Sequence, residues 1–164
     1  MATNKFFKAA LITGLIAGSL DAAAASIQYY INTGNNPARI FRYIASAALG
    51  KEVMTKDLYT MAAWGLLFHF LIAMSFTLLF FLCFRQIRML LKNKIAAGIV
   101  YGIFIWCVMN LLVVPLAFGI DFGVQYQKYF DNIKNSLIAM SILIIAIGLP
   151  VSLLADRYYS KKVS

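Results

Sequence analysis

The sequence predicts an all-α, polytopic membrane protein with four transmembrane helices plus one amphipathic interfacial helix on the outer side. Two observations carry this. Of the 164 residues, 62% are hydrophobic and 13% charged, with a mean hydropathy of +0.79, more apolar surface than a soluble domain of that length hides in one core. Apolar windows of about 20 residues, the length that crosses roughly 30 Å of hydrocarbon, recur at 9–31, 60–84, 95–116 and 136–155. The chain, 1–164, reads as a single membrane domain.

Four spans put both termini on one side, and the basic residues say which. Lys5, Lys8, Arg85, Arg88, Lys92, Lys94, Arg157, Lys161 and Lys162, nine of the fifteen, gather with the termini and the second loop, offset by Asp156 alone. The other face spreads Arg39, Arg42, Lys51, Lys56, Lys128 and Lys134 over longer loops, beside Glu52, Asp57, Asp121 and Asp131. Short-loop Lys and Arg mark the cytoplasmic side, so both termini are expected in the cytoplasm. The net charge of +9 then reads as orientation and attraction to anionic lipid, and no nucleic acid is expected as a partner. Tyr29, Tyr30, Tyr59, Tyr158 and Tyr159 fall at span ends, where aromatic belts lie.

In the first span, Gly14, Gly18, Asp21, Ala25 and Gln28 are spaced four, three, four and three apart, which places them on one narrow stripe of a helix. All are small or polar, while Leu15, Ile16, Leu20 and Ile27 take the remaining circumference. A secretory signal peptide cut at Ala23–Ala25 is the competing reading. It gives no reason for a stripe that runs on to Gln28, so the segment is expected to stay in the membrane. Two glycines four apart let a partner helix approach closely, and an aspartate at that depth requires a partner or water.

The second span holds the only histidine. His69 lies about nine residues from the outer end of its span and Asp21 about ten from the outer end of its own, so at about 1.5 Å per residue the two share a depth. Its stripe runs Ala62, Gly65, His69, Ala73 and Phe76, and Asn110 of the third span comes out a few residues shallower. An intramembrane polar cluster of Asp21, His69 and Asn110, with Gln28 above it, is therefore expected. The charge state of such a pair depends on water access and local pH; the competing reading is that these groups only hydrogen-bond the bundle together.

The first loop carries Asn36 as a helix cap, Pro37 at the first helical position and Gly50 as a stop, which predicts a helix over 37–49. Ile40, Phe41, Ile44, Ala47 and Ala48 share one side and Arg39, Arg42 and Ser46 the other, the pattern of a helix lying in the outer interface or folded over the bundle mouth. The second loop, 85–94, alternates basic and apolar residues and reads as a tight hairpin on anionic headgroups. In the third, Asp121 and Asp131 are ten apart, with no metal-ligand spacing, and are assigned to solvated surface. Gly98 and Gly102 in the third span, and Gly148 with Pro150 in the fourth, indicate close packing and a bend.

No phosphate-cradling glycine loop, nucleophile elbow or paired Cys or His-Glu motif occurs, so neither catalysis nor a cofactor nor a metal is expected. Cys83 and Cys107 differ in depth by about 18 Å, too far for a disulfide, and are expected as free thiols.

The run Gly-Leu-Ile-Ala-Gly at 14–18, the loop Asn-Pro-Ala-Arg-Ile-Phe-Arg-Tyr-Ile-Ala-Ser at 36–46, Gly-Leu-Leu-Phe-His at 65–69, and Tyr-Gly-Ile-Phe-Ile-Trp-Cys-Val-Met-Asn at 101–110 followed by Pro115 resemble a group of small bacterial inner-membrane proteins of unknown role. More distantly they are similar to the YagU-like family. The resemblance implies a four-helix fold in a bacterial inner membrane and lends no reaction. Two functions are expected: proton- or pH-responsive transport or gating through Asp21 and His69, in a homo-oligomer since four spans enclose little room, or a non-transporting structural or accessory role in which the polar layer only fixes helix packing.

Overall fold

A computed structural model describes residues 2–160; Lys161 and Lys162, assigned above to the basic face, lie outside them. The described residues form helices and turns without a strand: α1 (Ala2–Thr33), α2 (Ala38–Leu49), a 3-10 turn (Lys51–Thr55), α3 (Leu58–Leu82), α4 (Phe84–Leu90), α5 (Lys94–Phe118), α6 (Phe122–Asp131) and α7 (Ile133–Ser160). Four of these, α1, α3, α5 and α7, are long and apolar enough to cross a membrane. Only 28% of the most apolar stretch of each is buried inside the protein. Leu11, Leu15, Leu20, Leu67, Leu71 and Ile145 point outward, which leaves an apolar exterior suited to acyl chains.

Local chemistry sets the element ends. Asp57 accepts the Thr60 N–H at 2.8 Å to begin α3, Asn93 accepts Ile95 N–H at 2.8 Å to begin α5, and Asp121 accepts Val124 N–H at 3.2 Å to begin α6. Asn36 lies two residues ahead of α2, its side chain accepts from Ala38 N–H at 2.9 Å, and Pro37 already has helical dihedrals. Gly50 (φ 94°) stops α2 and Gly119 (φ 62°) stops α5, both in backbone conformations that favour glycine.

Small residues decide which helices meet. A Cβ on Gly18 would press on Phe70 and Ala73, and one on Gly14 on Met74, so the stripe of α1 lies along α3. Across the bundle, Gly98 and Gly102 of α5 nest against Ile144, Gly148 and Leu149 of α7. Each of these two helices widens into a π turn, at Val108–Val113 and Ile144–Gly148, shortly before Pro115 and Pro150. Proline lacks the N–H for the normal ladder and its ring crowds the preceding turn; the wider turn absorbs both effects.

At the end where α3 leads into α5, the second loop is not a bare hairpin on headgroups. It forms α4, and Arg88 and Lys94 share Asp156 of α7 at 3.4 and 3.5 Å. Phe84 stacks on Tyr159 with ring centroids 4.4 Å apart, and the Tyr159 hydroxyl donates to the Phe81 carbonyl. Phe80, Phe81, Tyr101, Ile105 and Val151 form the buried core beside this end.

At the opposite end α2 folds onto α3. A Cβ on Gly65 would overlap the Phe41 carbonyl, so the two backbones touch there. The buried face of α2 is centred on Ala45 and Ser46, not on the apolar side drawn from the sequence, and the Ser46 hydroxyl donates to the Tyr43 carbonyl. Ala45 and Ser46 are small enough for close approach, and Ala48, equally small, stays exposed, so small volume permits this face without by itself selecting it.

Candidate functional site

α1 and α3 bring Asp21 and His69 together. Their side chains are 14% and 11% exposed, and the Asp21 Oδ2 lies 4.0 Å from His69 Nε2. That is an ion-pair distance rather than a hydrogen bond. His69 Nε2 instead bonds the Gly18 carbonyl at 2.9 Å. A carbonyl only accepts, so Nε2 carries a hydrogen and a further proton has only Nδ1 to occupy. The expected contact is thus altered: Gly18, with no side chain to cover its backbone, lends its carbonyl to the imidazole, and the Asp21 carboxylate has no hydrogen-bond partner among the described residues. Phe70 and, from α2, Phe41 set their rings edge-on to the imidazole, at 5.6 and 6.1 Å.

Asn110 does not join this pair. Its amide donates to the Trp106 carbonyl at 3.0 Å, and its side-chain oxygen accepts from the Tyr129 hydroxyl at 2.9 Å. The Asn110 backbone explains the arrangement. In the π turn the Val114 N–H reaches back five residues to Met109; the same step from position 115 would satisfy Asn110, but Pro115 has no N–H. Gln125 of α6, buried, donates to the Asn110 carbonyl at 3.1 Å and to the Tyr129 hydroxyl at 3.1 Å. Asn110 therefore belongs to an α5–α6 network. Gln28, two turns beyond Asp21 on the same stripe, makes no side-chain hydrogen bond among the described residues and stands apart from the pair.

Sequence reasoning passed over a second polar site. Between α2, α6 and the end of α5 lies a cavity of about 410 Å³, lined among others by Arg39, Arg42, Tyr43, Asn110, Lys128 and Tyr129. Arg39 and Arg42 read as a solvent-facing side of α2; the available signal was Pro115, five residues after Asn110, which demands a donor from another element. Tyr43 and Tyr129 have phenol pKa values raised by burial, so both are neutral donors at ordinary pH. Among the described residues no group of three or more His, Cys, Asp and Glu is placed to hold a metal. Cys83 and Cys107 are free thiols.

The class that this fold defines is a helical, multi-pass membrane protein. Compared with family models, curated proteins and solved structures, the chain matches none.

Proposed function

We propose that this is a pH-responsive protein of a bacterial inner membrane, with both termini cytoplasmic, that conducts or gates through Asp21 and His69. One observation carries the reading: a carboxylate without a hydrogen-bond partner among the described residues sits 4.0 Å from an imidazole, at a helix interface beneath α2. Unit charges at that distance interact by about 4 kcal/mol at an effective dielectric near 20. A proton arriving at Nδ1 therefore changes the force between α1 and α3. With Nε2 held on Gly18, the gap is open to closure by a small helix shift, which would exchange the carbonyl for the carboxylate. Assembly as a homo-oligomer would supply the room that four spans lack, and the basic α4 end would rest on anionic cytoplasmic lipid. The likeness to the YagU-like group belongs to this proposal and supports only its membrane setting.

The test is pH flux in proteoliposomes. Wild type is expected to relax an imposed pH gradient faster than Asp21→Asn or His69→Gln, with all three folded by circular dichroism. Equal leak in the three ends the transport reading. A second reading, a non-transporting structural or accessory protein, is favoured by the bond from His69 to Gly18, which ties α3 to α1 without any change of charge. It expects no flux in any form, and a lower unfolding midpoint in His69→Gln.

A further inference from the structure

We propose that the cavity between α2, α6 and the end of α5 binds a phosphate-bearing anion, supplied as a lipid headgroup or as a soluble organic phosphate. Arg39 and Arg42 from α2 and Lys128 from α6 converge on it, and no Asp or Glu lines it. None of these three cations forms an ion pair among the described residues. Arg42 is half-buried; its Nε is buried without a partner among the described residues, and its Nη1 reaches the Lys56 carbonyl only at 3.5 Å. Like charges gathered around one opening repel, and a buried N–H with no acceptor is costly. An oxyanion relieves both. Guanidinium groups present a planar fork that fits phosphate oxygens, and exposed Arg39 and Lys128 stand at the rim, where a phosphate would enter.

Size argues for more than a simple ion. A volume of about 410 Å³ exceeds what chloride or a bare carboxylate fills and falls in the usual range of small-molecule sites, roughly 300–1,000 Å³. Ile40, Met54 and Val114 give the same cavity an apolar wall, suited to the glycerol or other carbon substituent of a phosphate ester. Neither Asp21 nor His69 lines it, so the inference stands apart from the proton chemistry proposed above.

Full-length protein in neutral detergent would be titrated calorimetrically with inorganic phosphate and with glycerol phosphate. In a second arm, nanodiscs of phosphatidylglycerol or phosphatidylcholine would be solubilised and the lipid retained by the protein measured by mass spectrometry. Binding is expected in at least one arm, weakened roughly tenfold or more in Arg42→Gln and Lys128→Gln and unchanged in Asp21→Asn; in the calorimetric arm it is unchanged as well in Lys92→Gln at the far end. Binding of glycerol phosphate in solution assigns a soluble ester; selective retention of phosphatidylglycerol alone assigns a headgroup. Absence of binding in both arms overturns the proposal, as does binding that Lys128→Gln keeps at full strength. Lys128 is exposed on α6, so this variant decides the matter even where Arg42→Gln does not fold.

Discussion

The two ends of the bundle use the same kind of charge in opposite ways. Where α4 docks, Arg88 and Lys94 converge on one carboxylate, Asp156, and a tyrosine stack closes the surface around them. Under α2, Arg39, Arg42 and Lys128 surround an open cavity with no Asp or Glu among the described residues on its wall. A paired cation has spent its field on holding two helices together, while an unpaired one retains it for a ligand. The ends also differ in how they are closed. Polar and aromatic side chains fasten α4, whereas α2 is seated backbone to backbone, Phe41 on Gly65.

The largest expected effect comes from breaking that seat. Gly65→Val places a branched side chain where the Phe41 carbonyl lies, and overpacking of this kind costs about 3 kcal/mol. The variant should unfold at a markedly lower temperature in detergent and lose a cysteine cross-link engineered between α2 and α3; retention of both would mean that the α2 seat is mobile. A smaller effect of opposite sign at the two ends would sharpen the contrast in charge. Asp156→Ala leaves Arg88 and Lys94 unpaired and should lower stability by about 1 kcal/mol, less so at high salt. Arg42→Gln removes an unpaired charge and should raise the stability of the ligand-free protein by up to about 1 kcal/mol. Equal losses from both would erase the distinction drawn between the two ends.

The smallest effect concerns acid. Backbone N–H donation from Thr60 holds the Asp57 carboxyl below its ordinary pKa. A group whose folded pKa is depressed stabilises above its unfolded value, and that contribution is lost as the pH falls through the folded one. Acidification through the carboxylate range should therefore loosen the start of α3 slightly. Asp57→Asn, which keeps a capping oxygen, should flatten this part of the stability profile against pH, read as unfolding midpoints over an acid series.

Much of the architecture was legible in the chain. The apolar windows at 60–84 and 95–116 match α3 and α5 to within two residues at each end, while α1 and α7 run several residues past their windows. The surplus is polar helix, such as the turns bearing Lys5 and Arg157, which hydropathy does not count. For the polar residues, shared depth identified Asp21 and His69 as neighbours but also enrolled Asn110, wrongly. Depth is one coordinate, and contact requires rotation about the helix axis as well. Asn110 faces α6 because the π turn and Pro115 leave its carbonyl in need of Gln125.

What the sequence determined by itself is the set of helices able to span a bilayer, because hydrocarbon thickness turns a local average of hydropathy into a length. Caps such as Asp57, Asn93 and Asp121 are local in the same sense, each satisfying an N–H two or three residues away. Only the tertiary structure decided that Gly18 lends its carbonyl to His69, that α2 buries Ala45 and Ser46, and that three cations share one cavity. Those outcomes follow from which surfaces are small enough to approach and which buried groups still lack a partner, and both are properties of pairs of helices rather than of any one segment.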